Sequence, residues 1–412
     1  MNGPDAVPVP RAGPTALPWQ HQLPAYSPLS AAALRVGARA ALGMIPDPRP
    51  DLRDHLKAWY QADEAVLTGS GTQALQLALS IPPSDGVPGP VALPAYGCYD
   101  LATAAVGAGR HIALYDIDPD TLGPDFDSLR QAFDRGARTA VIASLYGVPT
   151  DWDSASDSAA GTGAMLVEDA AQGIGASWRG RPLGTLGASS VLSFGRGKGW
   201  TGGAGGALLL RGSSAGPALA ALRGRSAEAA TWSSTVAQWA LGRPGTYGLP
   251  AALPFLHLGE TRYHDPAAPR PISRAAAAMV RATRAPAFEE AAARKGRALR
   301  LLSLVDDRAG VRAVRPPANG ASGWLRLPVR VDGWGVRVAS GPIARRLGIA
   351  AGYPAPLSEL PAVQRWLAGP WRGRRWPGAE SLVRDLITLP THSRVSAADE
   401  AAIVRLLLND RS

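Results

Sequence analysis

Cysteine is almost absent from this chain. Among its 412 residues only Cys98 carries a thiol, which excludes any disulfide within the chain. Lysine is nearly as scarce: Lys and Arg together number 43, yet only Lys57, Lys198 and Lys295 are lysines. Chemistry that needs a primary side-chain amine therefore has three places to occur. Aromatic residues make up 6%, and no apolar run reaches the ~18 residues that a membrane span requires. The amino terminus, punctuated by Pro4, Pro8, Pro10, Pro14 and Pro18, lacks the charged-then-apolar progression of a secretion signal, so a cytoplasmic location is the default expectation.

What is present describes a globular chain, with 46% apolar residues and a length that fits two domains. The formal charge of +10 invites a nucleic-acid reading. Against it, the arginines are scattered among Ala, Gly and Pro rather than gathered into a stripe, so no nucleic-acid partner is expected. Local clusters at Arg223 to Arg225 and Arg372 to Arg375, the latter flanked by Trp371 and Trp376, read as solvated or aromatic-packed groups, or as a field steering an anionic acceptor.

Three stretches carry chemistry. In Val167-Glu168-Asp169-Ala170-Ala171-Gln172 an apolar run from Ala164 reads as a buried strand, so Asp169 emerges at the carboxyl end where parallel sheets expose ligand sites. A carboxylate there can keep a pyridine nitrogen protonated, and Gln172 follows closely enough to donate to a ring hydroxyl. The second stretch, Ser193-Phe194-Gly195-Arg196-Gly197-Lys198, follows a buried-looking strand and sets a lysine among glycines that permit tight turns and close approach of a ring. Burial and a neighbouring positive charge such as Arg196 would make that amine nucleophilic. The third, Thr68 to Leu75, is a glycine turn between strand and helix, where free amides favour a phosphate. Gly69-Ser70-Gly71-Thr72-Gln73-Ala74 also fits the dinucleotide fingerprint, but no acid follows about twenty residues on to hold a ribose. A Walker motif fails as well, since Ser193 to Gly199 lacks its first glycine and the Ser/Thr after the lysine.

On these residues, together with Pro94-Ala95-Tyr96-Gly97-Cys98 and Leu389-Pro390-Thr391-His392-Ser393, the chain resembles the DegT/StrS-type aminotransferases, the sugar branch of the fold type I pyridoxal phosphate enzymes. The resemblance runs from about Leu52 to the carboxyl terminus. It implies an α/β fold, with a large, mostly parallel seven-stranded sheet sandwiched by helices and a smaller C-terminal α+β domain. It implies pyridoxal 5'-phosphate as cofactor and no metal, with Lys198 as the Schiff-base lysine and Asp169 on the ring nitrogen. Gln172 falls on the ring hydroxyl, and Ser193 with Gly71 and Thr72 on the phosphate. Where many relatives stack an aromatic residue on the ring, this chain has Cys98; either Tyr96 or Tyr99 substitutes, or the thiol lies against the ring. Relatives also commonly carry a glutamate where Ala204 stands. The implied activity is transfer of an amino group from an amino acid, glutamate in such a family, to a keto sugar, nucleotide-linked, in polysaccharide or glycoconjugate biosynthesis. A dehydratase or a ligand-sensing regulator of the same fold are the alternatives.

Residues 1–24 read as a loose tail, 25–241 as the cofactor-binding domain, 242–271 as a Pro- and Gly-rich connector and 272–412 as the small domain. Strands are expected at Ala65 to Leu67, Val91 to Leu93, Ile112 to Tyr115, Thr139 to Ser144, Met165 to Val167, Val191 to Phe194, Ala204 to Leu210 and Gly323 to Val331. Helices are expected at Leu29 to Leu42, Ala339 to Leu347 and Ala397 to Leu408, with an alanine-rich helical stretch interrupted at Pro286. Ser396 and Asp399 spell a capping box for the last helix. His392 reads as a turn residue orienting the backbone rather than a catalyst, and Asp116 and Asp118 as surface-turn acids. The resemblance further implies a homodimer, for which residues 259–263 are either an arm reaching across or a structural loop.

Overall fold

The structure, a computed structural model, describes residues 21–83, 86–87, 89–251, 261–308 and 310–409. The expected tail therefore lies outside the described residues up to position 20, as do Gly259 and Glu260 of the candidate arm.

Short apolar runs pair into one sheet. Its first members are β1 (Glu64–Thr68), β2 (Val91–Pro94), β3 (Ile112–Tyr115), β4 (Thr139–Ala143) and β5 (Met165–Asp169). After a small hairpin of β6 (Ser177–Trp178) and β7 (Arg181–Pro182), the sheet is completed by β8 (Ser189–Ser193) and β9 (Gly206–Leu210). Among the described residues these give a seven-stranded sheet in the order β1-β9-β8-β5-β4-β2-β3. Only β9 runs against its neighbours; β8, β5, β4, β2 and β3 are mutually parallel. The parallel strands are buried almost throughout, as expected when helices cover both faces.

A second, antiparallel sheet follows, formed by β10 (Val311–Ala313), β12 (Leu327–Val331), β13 (Ala350–Ala351) and β14 (Leu386–Leu389) in the order β10-β12-β14-β13. The short strand β11 (Gly320–Ala321) pairs with β6 and ties this region back to the large sheet's loops.

One helix, Arg274–Val305, joins the two regions. Ala276, Ala277, Val280 and Ala287 bury against Phe194, Trp200 and Leu209 of the first, while Ala298, Leu301 and Val305 pack in the cluster that holds Val311 and Leu327 of the second. The expected break at Pro286 does not occur. Proline costs the helix one hydrogen bond to the carbonyl four residues back, but buried contacts on both flanks hold the axis, and the Thr283 hydroxyl donates to the Thr201 carbonyl at 2.7 Å. Conversely, the helix expected at Ala339 to Leu347 is two short ones, Gly335–Ser340 and Pro342–Arg346, because Pro342 has no N–H and drives Gly341 out of the helical region (φ −66°, ψ 147°). The connector contains a helix, Pro244–Ala251. Its later part is tied to the main sheet's helices and turns: Thr103 donates to the His264 carbonyl at 2.8 Å, and Gly69 N–H to the Arg270 carbonyl at 2.8 Å. The capping box at Ser396 and Asp399 forms in both directions, at 2.9 and 3.2 Å.

Adjacent acids at the end of β5 face opposite sides of the sheet, as strand alternation requires. Glu168 is fully buried and accepts from the N–H groups of Gly184 (2.6 Å), Leu186 (2.9 Å) and Gly187 (3.3 Å) and from the Ser190 hydroxyl (2.7 Å). It folds the 184–190 loop onto β5. Replacing Glu168 by Ala orphans four buried donors, at about 1 kcal/mol each; the expected loss is about 3–4 kcal/mol, read as a lower urea midpoint with unchanged slope.

Candidate active site

Where β1 ends, Ser70 caps the helix Gly71–Ser80 by accepting the Gln73 N–H at 3.2 Å. The N–H groups of Gly71 and Thr72, in the first turn, have no intrahelical acceptor to take. Glycine is required at this corner. A Cβ on Gly71 would stand 2.6 Å from the Ser193 Cβ and 2.9 Å from its Oγ, and one on Gly206 would stand 2.5 Å from the Gly71 nitrogen. The end of β8, the start of β9 and the helix N-terminus thus converge, with the Ser193 hydroxyl beside the first-turn residues.

The segment after β8 carries Lys198. Gly197 and Gly199, on either side of it, have φ of +73° and +83°, conformations that other residues resist. The loop is anchored by Trp200, whose indole packs on Phe194 with centroids 5.0 Å apart and donates to the Val280 carbonyl at 2.9 Å. The Gly199 N–H donates to the Ser27 hydroxyl at 2.9 Å. Lys198 is consequently delivered from a fixed turn.

A single cavity at the carboxyl ends of the parallel strands is lined by Gly71, Thr72, Cys98, Asp169, Gln172, Ser193 and Lys198, every site residue expected from sequence. Asp169 accepts the Ala171 N–H at 3.0 Å. Burial pushes its carboxyl pKa up and the Asp100 carboxylate adds to this, while the Ala171 N–H and the Lys198 charge pull it down. Gln172 is gripped at both ends of its amide, its oxygen by the Tyr146 N–H at 2.8 Å and its nitrogen donating to the Tyr353 hydroxyl at 3.2 Å. Tyr146 pays for this position with a left-handed backbone (φ 56°), and its ring stacks on Tyr353 at 5.8 Å.

Cys98, and neither Tyr96 nor Tyr99, lines the cavity. The Tyr96 hydroxyl is occupied by the Tyr353 N–H at 2.9 Å, and that of Tyr99 points to the Ala355 carbonyl at 3.4 Å. Burial, reinforced by Asp100, pushes the Cys98 thiol up to about 12. Arg196 does not line this cavity. Sequence reasoning missed Asp100 and Ser144, which also line it. Asp100 reads as an ordinary first-turn acid and Ser144 as the tail of a strand, so neither carries a local signal.

His392 lies elsewhere. Its ring is buried, with Nε2 2.8 Å from the Leu23 carbonyl, while Thr391 donates to the Trp324 carbonyl at 2.7 Å and Ser393 to Glu290 at 2.6 Å. This turn fixes backbone. Asp118 bonds its own turn through the Asp120 N–H, as expected, whereas Asp116 reaches further and accepts the Gly378 and Ala379 N–H groups at the start of the helix Pro377–Asp385. Among the described residues, no group of three or more His, Cys, Asp or Glu is placed to hold a metal, and no helix is long and apolar enough to cross a membrane.

A mostly parallel sheet with a lysine, a carboxylate, an amide and a helix N-terminus around one cavity defines the fold type I pyridoxal phosphate class. Solved structures share the architecture: the sugar aminotransferase CalS13 from Micromonospora echinospora matches with a TM-score of 0.70 at 19% identity, over 94% of this chain and 99% of that one. The chain belongs to the DegT/DnrJ/EryC1/StrS aminotransferase family, whose profile matches residues 50–408. It is 33% identical over 151 residues to an L-glutamine:2-deoxy-scyllo-inosose aminotransferase of Streptomyces kanamyceticus, covering 37% of this chain and 35% of that enzyme. It is likewise 33% identical over 149 residues to a UDP-2-acetamido-2-deoxy-3-oxo-D-glucuronate aminotransferase of Pseudomonas aeruginosa, covering 35% of this chain and 40% of the other. The matches thus span little more than a third of these curated relatives.

Two outcomes follow from the electrostatics. A thiol raised from 9.0 to about 12 holds about a thousandfold less thiolate at pH 8. Cys98 in the native protein is accordingly expected to react with a disulfide reagent at least a hundredfold more slowly than in urea. His392 is held down to about 3, chiefly by burial, against 6.5 when free. Between those values the unfolded chain binds a proton that the fold refuses, so stability falls as pH drops below 6.5. At pH 5 the contribution is about 2 kcal/mol, and His392→Gln is expected to lose that much less stability than the parent between pH 7 and pH 5 in urea titrations.

Proposed function

We propose that this protein is a pyridoxal-phosphate-dependent aminotransferase that takes an amino group from an amino acid, glutamate first among candidates, and gives it to a keto sugar, nucleotide-linked. The observation that carries the reading is the convergence of seven residues from separate stretches of chain on one cavity. They suit the cofactor on structural grounds: a glycine corner that a single Cβ would fill, free first-turn amides beside a hydroxyl, a carboxylate lacking a full set of donors, and one lysine.

When bound, the cofactor supplies an aldehyde that takes up an amine and a ring that withdraws the electron pair left on the adjacent carbon. The protein's share is binding and proton management. Gly71 and Thr72 N–H groups with the Ser193 hydroxyl hold the phosphate. Asp169, whose pKa burial raises, would pair as a carboxylate with a positive ring nitrogen and so keep that nitrogen protonated. Gln172 offers its second amide hydrogen to the ring oxygen, the first being engaged by Tyr353. Lys198 Nζ holds the cofactor before the donor arrives and, once released, carries a proton between the substrate carbon and the cofactor carbon. Cys98 presents a neutral thiol where a larger ring would narrow the cavity.

The Streptomyces relative is named for L-glutamine as donor and 2-deoxy-scyllo-inosose as acceptor, and the Pseudomonas relative for a UDP-linked 3-oxo sugar, which supports a keto acceptor of the cyclitol or nucleotide-sugar kind. A role in polysaccharide or glycoconjugate biosynthesis and a homodimer, both by resemblance, complete the reading, with a cytoplasmic location as its default.

Lys198→Ala is expected to lower turnover by about ten-thousandfold or more while leaving the far-ultraviolet circular dichroism unchanged. The parent protein should show a yellow cofactor band that bleaches with glutamate. Normal transamination by the variant, or a parent without the band, refutes the assignment.

A further inference from the structure

We propose that the Ser144 hydroxyl is a further donor to the ring oxygen of bound pyridoxal phosphate, sharing that oxygen with Gln172; the proposal rests on the cofactor reading above. Ser144 directly follows β4, whose last residue, Ala143, pairs with Asp169. Its N–H donates to the Asp169 carbonyl at 3.2 Å, which fixes it at the mouth of the strand pair. The side chain lines the cavity and is only 3% exposed. Its Oγ has no hydrogen-bond partner among the described residues.

Ser189 and Ser322 also have buried hydroxyls without a partner among the described residues, but neither lines this cavity. Short hydroxyl side chains normally turn back onto a nearby backbone carbonyl, and buried hydroxyls nearly always find a partner. Ser144 bonds neither a carbonyl nor the Asp169 carboxylate or the Gln172 amide that line the same cavity. Its partner must come from outside the described residues, and a ligand acceptor in the cavity is one that would satisfy it.

The three polar ends of the cofactor decide which acceptor. The phosphate falls to the corner of Gly71, Thr72 and Ser193, built from β8 and the Gly71–Ser80 helix. A protonated ring nitrogen is itself a donor and belongs to Asp169. The ring oxygen is an acceptor and belongs to the side of Gln172. Ser144 is on that side through the chain, because Tyr146, two residues on, holds the Gln172 oxygen with its N–H.

A second donor on that oxygen favours its ionised form. Removing the donor should therefore weaken binding and raise the pH at which the bound cofactor's absorbance changes. The test titrates apoprotein with pyridoxal phosphate, following absorbance and tryptophan fluorescence, for the parent, Ser144→Ala and Ser144→Thr. Expected are a Kd about tenfold higher for Ser144→Ala, an absorbance midpoint shifted to higher pH, and recovery of both in Ser144→Thr, which keeps the hydroxyl. A Ser144→Ala protein with parental affinity and midpoint overturns the proposal. Equal weakening in both variants overturns it too, since packing rather than the hydroxyl would then be responsible. A parent protein that takes up no pyridoxal phosphate sinks the proposed function itself, and is distinguished from the other two outcomes by that first titration.

Discussion

A carboxylate partly withdrawn from water, with one backbone N–H to accept from, is the constraint around which this protein is arranged. Asp169 is costly to keep ionised in that setting, and the Asp100 carboxylate nearby makes it costlier. Its neighbour Glu168 shows the alternative. One residue earlier and on the other face of the strand, it is saturated by three N–H groups and a hydroxyl and serves the fold. The two adjacent acids differ in their partners: Glu168 is saturated within the fold, whereas Asp169 accepts one N–H and faces the cavity with the Lys198 charge nearby.

Everything else at the cavity is positioned relative to that acid. The glycine corner brings the first-turn amides of Gly71 and Thr72 to the cavity, and the turn at Gly197 and Gly199 brings Lys198 to it. Gln172 stays on the third side because the strained Tyr146 backbone and Tyr353 both hold it. Tyr353 comes from the region of the second sheet, so the C-terminal part of the chain holds one amide of the cavity wall. The long helix Arg274–Val305 links the two regions, burying apolar side chains in the cluster of Phe194 and Trp200 and in that of Val311 and Leu327.

Asp100, Ser144 and the Cys98 thiol, which burial keeps neutral, also lie on the cavity wall. The Leu389 to Ser393 block spends its polar groups on Leu23, Trp324 and Glu290, bringing the start of the described chain, the second sheet and the long helix together.

The sequence by itself determined the strands of the main sheet, each within a few residues, and the seven residues that meet in the cavity, because both are written locally. Buried strands are short apolar runs, and a cofactor of this size is gripped by strand ends and glycine turns whose residue types are restricted by backbone geometry. Tertiary structure decided what depends on a distant partner. Pro286 stays helical because both flanks of its helix are packed, Asp116 caps a helix more than two hundred and fifty residues away, and Cys98 rather than Tyr96 or Tyr99 meets the cavity because the two phenols find partners near Tyr353 and Ala355. Ser144 belongs to this second group. Whether a hydroxyl is satisfied is set by what surrounds it in space, and no run of neighbouring residues records that.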